Sequence, residues 1–121
     1  MEFLSMLQIA VIVFALAAAG GLLMAAIRMM GNTNPPSWLA MGHGLLAAAG
    51  LTLAIYAALT VGAPTLAKLG IALLLLAAAG GAFLNLAYQQ KQRLLPKAVM
   101  FGHAGLAVAG CGCLTVAAFL P

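Results

Sequence analysis

Acidic side chains are all but missing from this chain: Glu2 is the single Asp or Glu among 121 residues. Charged residues make up only 5% of the sequence, against roughly a quarter in a soluble domain. Paired-carboxylate acid–base chemistry is therefore excluded, and so is a surface that water could cover. The five bases, Arg28, Lys68, Lys91, Arg93 and Lys97, leave a net charge of +4. They stand at the ends of apolar segments and form no basic face, so the excess is not a nucleic-acid footprint. Cysteine is scarce too, at two residues. Cys111 and Cys113 are next-but-one neighbours in an apolar run and point in different directions on a helix, which argues against a disulfide between them. No flavin or nucleotide motif is present. The N-terminal segment lacks a basic leader, and its apolar stretch is too long for a signal sequence, so it reads as a retained span.

What the chain has instead is apolar length, at 66% hydrophobic residues. The first run, Phe3 to Met30, exceeds the roughly 20 residues that cross a bilayer. The break Gly31-Asn32-Thr33-Asn34-Pro35-Pro36-Ser37 ends it, with Ser37 placed to cap the next helix. A second span covers Trp38 to Val61, a third Leu66 to Gln89 and a fourth Ala98 to Leu120, separated by Gly62–Thr65 and by the polar stretch Gln89–Lys97. The expected fold is all-α: a transmembrane up-down-up-down four-helix bundle, one domain over residues 1–121. Alanine and glycine strings allow close helix approach. Arg28, Lys91, Arg93 and Lys97 flank loops one and three, whereas Lys68 and the N-terminal amine lie at the other end. The positive-inside rule then places loops one and three in the cytoplasm and both termini in the periplasm.

One stretch occurs twice. PSWLAMGHGLLAAAG, from Pro36 to Gly50, returns as PKAVMFGHAGLAVAG, from Pro96 to Gly110, at an offset of sixty residues without a gap. The register continues backwards, with Ala17–Gly21 matching Ala77–Gly81. Internal repeats of about 1–60 and 61–121 follow, each holding two spans, so that the copies run parallel across the membrane. The offset superposes His43 and His103, the only two histidines. Both lie roughly 8 Å below the same surface. Positions three, four and seven further on share a helix face. They are Leu46, Ala47 and Gly50 in one copy and Leu106, Ala107 and Gly110 in the other, identical in each case. The histidine stripe is therefore expected to face the bundle centre.

Helices two and four are diagonal in such a bundle, with axes roughly 11–14 Å apart. Two inward imidazoles across that gap suit a metal held by nitrogens about 2 Å away on each side. Haem iron, which takes two axial protein ligands, fits this arrangement. The expected cofactor is one haem b per chain, with His43 and His103 as iron ligands. Gly42 and Gly102, beside them, are expected to leave room for the macrocycle. Arg28, Arg93 and Lys97 are placed to meet haem carboxylates, and Trp38 and Tyr88 to cover the ring edge. Met29, Met30, Met41 and Met100 fall at similar depth and raise a soft copper site as an alternative. Histidines that merely satisfy backbone partners, a small transporter, and a structural subunit with no cofactor also remain open.

The inward histidines on separate spans, with small residues beside them, make the chain resemble the cytochrome b561-like b-type cytochromes of bacterial inner membranes. That group typically holds two haems on four histidines, and this chain supplies histidines for one. The resemblance implies electron transfer, with membrane quinone, a larger respiratory complex or a second copy of the chain as partner, in a protein embedded in lipid. An electron carrier or subunit is implied more than a self-contained enzyme.

Overall fold

A computed structural model describes residues 2–120. The chain forms helices α1 (Phe3–Met30), α2 (Ser37–Thr60), α3 (Thr65–Leu84) and α4 (Lys97–Phe119). A five-residue π-helical turn, Asn85–Gln89, continues α3. With that turn included, all four helices are long and apolar enough to cross a membrane. They make an all-α up-down-up-down bundle in which α1 adjoins α2, α2 adjoins α3, α3 adjoins α4, and α4 returns to α1. Packing is much closer within the pairs α1/α2 and α3/α4 than between them. Helices α2 and α4 are thus diagonal.

Three of the four helices begin just after a proline: Pro36 precedes α2, Pro64 precedes α3 and Pro96 precedes α4, all in extended backbone. A proline has no N–H to leave unpaired, and its fixed φ suits a helix entrance. Ser37 is the first helical residue rather than the cap, and no side chain caps α2. Loop two turns on Gly62, whose φ of +89° is open to glycine at little cost. At the end of α3 the π geometry brings Gln90 N–H to Asn85 C=O at 2.9 Å, and Arg93 N–H reaches Tyr88 C=O at 2.9 Å.

Loops one and three lie together at one end, tied by side-chain amides. Asn34 Nδ2 donates to Arg93 C=O at 2.6 Å, and Leu95 N–H donates to Asn34 Oδ1 at 3.0 Å. Gln89 Nε2 donates to Pro35 C=O at 2.7 Å. At the opposite end, Gln8 Nε2 donates across to Ala118 C=O at 3.1 Å, joining α1 to α4. The N-terminal amine, counted above at that end, is outside the described residues.

The main apolar cluster lies in the half of the bundle nearest the termini, and Leu39, Leu84, Leu95 and Met100 are buried separately at the loop end. The cluster consists of Leu7, Ala10 and Phe14 of α1, Ala54 of α2, Ala67, Ile71 and Leu74 of α3, and Leu114 and Ala118 of α4. Small residues set the helix approach there. A Cβ on Gly70 would stand 2.9 Å from Gly110 O, and one on Gly110 would stand 2.7 Å from Leu74 Cγ. In the first repeat Phe14 lies over Gly50, within 3.1 Å of where its Cβ would be. Outward positions such as Leu22, Leu59 and Val108 are exposed apolar side chains, as hydrocarbon contact requires.

Candidate functional site

The core stops short of the histidines. Along α1 the inward positions Ala10, Phe14 and Ala17 are buried, but Gly21 and Met24 beyond them are half-exposed. Along α3 Ile71, Leu74 and Ala77 are buried and Gly81 is half-exposed, but Leu84, the counterpart of Met24, is buried again. His43 and His103 occupy this thinly packed level and are half-buried themselves. Leu46, Ala47 and Gly50 grade from half-buried to buried, and Leu106, Ala107 and Gly110 repeat the same sequence of exposures.

Each imidazole is fixed within its own repeat. His43 Nδ1 lies 2.7 Å from Ala17 C=O, and His103 Nδ1 lies 2.6 Å from Ala77 C=O. A carbonyl oxygen can only accept, so Nδ1 is the donor in both rings, and in a neutral imidazole this leaves the lone pair on Nε2. The accepting carbonyls already serve their helices, bonding the N–H four residues on. That fourth residue is Gly21 for Ala17 and Gly81 for Ala77. A Cβ on Gly21 would fall 3.0 Å from His43 Cε1 and 3.3 Å from Nδ1. On Gly81 the distances to His103 would be 3.0 and 3.5 Å. The glycine therefore clears the path by which the ring reaches the carbonyl one turn back.

Across the bundle the two ring centroids are 6.2 Å apart, with planes at 80°. Among the described residues each ring bonds to backbone and neither bonds to the other. Nor does any third His, Cys, Asp or Glu join them. An Nε2 lone pair held by an Nδ1–H···O=C bond is the common state of a metal-binding histidine. A metal about 2 Å from a nitrogen of each ring would set the centroids roughly 6 Å apart, close to the observed spacing.

The other residues that the sequence nominated distribute differently. Gly42 and Gly102 face open space, and a Cβ on either would meet nothing within 4 Å. Space beside the rings is made instead by Gly20, Gly21, Gly80 and Gly81 on the partner helices. The repeated Ala-Ala-Ala-Gly-Gly block carried that information, but it shows up in sequence as register and small-residue packing. Arg28 is only 8% exposed, and its Nε donates to Leu95 C=O at 2.9 Å. Arg93 lies over the Tyr88 ring at 4.7 Å and donates to Ala87 C=O at 3.3 Å. Tyr88 packs edge-on against Phe83 at 5.7 Å. Lys97, the first residue of α4, is exposed, and Trp38 is exposed at the start of α2. The methionines do not converge: Met29, Met30 and Met41 are exposed, and Met100 is buried.

Two cavities lie away from the rings. One, of about 350 Å³, is lined by loop residues including Asn32, Ser37, Gln89 and Gln92. The other, of about 110 Å³, opens between α1 and α4 among Val11, Phe14, Ala18, Cys111 and Thr115. Compared as a whole, the chain matches no protein-family model, no curated protein and no solved structure.

Proposed function

We propose that the protein is a bacterial inner-membrane b-type cytochrome, with His43 and His103 as the two axial ligands of one haem b. The observation that carries this reading is the paired imidazoles: centroids 6.2 Å apart, each Nδ1 engaged by a backbone carbonyl of its own repeat. The residues fit the group on a second count, because the apolar core leaves the histidine level lined by glycine and alanine. When bound, haem supplies one-electron chemistry. The chain's own part would be to hold both imidazoles in one tautomer and at one depth, so that His43 and His103 together would hold the group. Arg93 and Lys97, at the same end of the bundle, are proposed to meet the haem carboxylates. The four cations flanking loops one and three support a cytoplasmic placement of that end, with both termini periplasmic. Membrane quinone, or a neighbouring subunit of a respiratory complex, is the proposed electron partner.

A second reading is favoured by the same hydrogen bonds. Each His–carbonyl contact joins two helices of one repeat, which is sufficient for a purely structural clamp. The readings separate on Nε2, which the clamp does not use. Protein purified in mild detergent from haem-replete cells is expected to show a low-spin b-type spectrum that sharpens on dithionite reduction. His43→Ala and His103→Ala should each abolish it. A spectrum that survives both substitutions refutes the ligand assignment. Apoprotein that remains colourless after reconstitution with haemin refutes the cytochrome reading, and bound copper in its place assigns the pair to a bare metal ion.

A further inference from the structure

Arg28 is the one charged side chain buried in the described structure. Its Nε donates to Leu95 C=O at 2.9 Å and its Nη1 to Gly31 C=O at 3.3 Å. Its Nη2 has no protein acceptor among the described residues. That nitrogen is not sealed from outside either, since the fully enclosed side-chain polar atom left without a partner is Gln89 Oε1. Two carbonyl dipoles soften the guanidinium's field but do not balance a formal charge. The chain has no carboxylate to do so. Its only acid, Glu2, begins α1, and Arg28 lies in the last turn of the same helix. Twenty-six residues of helix at 1.5 Å each put the two roughly 39 Å apart.

A desolvated, uncompensated cation is costly. The neighbours of Arg28 worsen the imbalance. Loop three and the start of α4 add Lys91, Arg93 and Lys97, all exposed, and Arg93 is occupied with the Tyr88 face. Those three are open to water and its ions, whereas Arg28 meets the outside only through Nη2. The missing counter-charge must then come from outside the polypeptide. Arg28 stands where a membrane-crossing helix ends, the depth at which lipid phosphates lie. A guanidinium edge is matched to phosphate oxygens in both geometry and charge.

We propose that Arg28 is the anchor of a phospholipid site, its Nη2 donating to a phosphate oxygen of an anionic lipid whose chains run along the bundle surface. Lys97 and Lys91 enlarge the attraction at long range without fixing the headgroup. This site does not depend on the haem reading.

The test is native mass spectrometry of the full chain released from detergent, titrated with phosphatidylglycerol or with phosphatidylcholine of the same acyl chains. Wild type should retain one phosphatidylglycerol about tenfold more tightly than phosphatidylcholine, the size expected of a charge-assisted hydrogen bond. Arg28→Gln should lose that preference, Arg28→Lys should fall between, and the exposed-cation control Lys68→Gln, at the opposite end of the bundle, should keep it. Absence of any headgroup preference in wild type overturns the proposal without recourse to a variant. So does equal retention by a folded Arg28→Gln protein, or full retention by Arg28→Lys. Displacement of the lipid by equimolar inorganic phosphate assigns the site to a free anion instead. If haem-loaded protein binds no lipid and Arg28→Gln shifts the haem spectrum, the anion is a cofactor carboxylate and the lipid site is rejected.

Discussion

Alanine placed at Gly21 should injure the protein, whereas alanine at Gly42 should help it, although both glycines lie near the same histidine. At Gly21 the new methyl would stand 3.0 Å from His43 Cε1 and 3.3 Å from Nδ1. The ring cannot simply withdraw, because its Nδ1 is held 2.7 Å from Ala17 C=O on the same helix as the methyl. Either α1 and α2 separate by a few tenths of an ångström, or the hydrogen bond lengthens. Overpacking of this kind costs about 1–3 kcal/mol, and a hydrogen bond between membrane helices is worth about 0.6 kcal/mol on average. Against this stands the helix-propensity gain from glycine to alanine, about 1 kcal/mol. The balance for Gly21→Ala is a loss of about 1–2 kcal/mol, and Gly81→Ala should match it, since its methyl would also meet His103 Cε1 at 3.0 Å. Gly42→Ala and Gly102→Ala meet nothing within 4 Å and should keep the propensity gain of up to about 1 kcal/mol. Equilibrium unfolding in mixed micelles of rising dodecyl sulfate content, followed by circular dichroism, measures all four. Nitrogen NMR of the imidazoles reports whether Nδ1 keeps its proton. Equal stabilities for Gly21→Ala and Gly42→Ala, with an unchanged Nδ1–H, would refute the account of how the ring is seated.

Two further expectations concern the ends of the bundle. Asn34→Ala removes two hydrogen bonds between loops one and three, at 2.6 and 3.0 Å. It should cost about 1–3 kcal/mol and speed exchange of the Leu95 amide while leaving amides at the terminal end unchanged; uniform exchange across the chain would contradict this. Near the midplane, Cys111→Leu with Thr115→Ile copies Leu51 and Ile55 of the first repeat into the wall of the 110 Å³ cavity. At about 24 cal/mol per Å³ of void removed, the pair should stabilise by about 1–2 kcal/mol in the same micelle titration. A loss of stability would mean that the α1/α4 seam is already filled.

Much of this architecture is legible in the residues. Apolar length gives the four helices, prolines mark the helix entrances, and the sixty-residue offset pairs His43 with His103. The contacts of the imidazoles were not legible, because they run to backbone. A carbonyl has no letter of its own, and Ala17 and Ala77 look like any other alanine in an alanine-rich helix. The glycines adjacent in sequence drew the eye, but a helix turns about 100° per residue, so Gly42 cannot share the face of His43. Arg28 makes a related point. Its place at a helix end is legible, but its burial and its bond to Leu95 C=O, far along the chain, come only with tertiary packing. Nor does residue type reveal the π-helical turn at Asn85–Gln89, which sets where loop three begins.

The two repeats differ where difference is cheap and agree where it is not. In the terminal half they trade volumes: Ala10 and Phe14 serve Gly50 in one copy, and Gly70 and Leu74 serve Gly110 in the other. A core needs only matched total volume, and several combinations provide it. One turn beyond the rings they trade again, Met24 and Ala40 in one copy for Leu84 and Met100 in the other, but the hydrogen bonds of the rings themselves are not traded. Both copies use the same alanine carbonyl, the same glycine four residues later and the same imidazole nitrogen, with bonds of 2.7 and 2.6 Å. A helix clamp alone would tolerate one longer bond or one shifted ring in either copy. Two ligands that must meet at a point between the copies have no such latitude, because each must reach it from the same depth. The level at which the repeats stay equivalent is also the level the apolar core leaves open. That coincidence suits the proposed ligand shared between the repeats, whereas duplication alone explains the matching contacts but not the opening beside them.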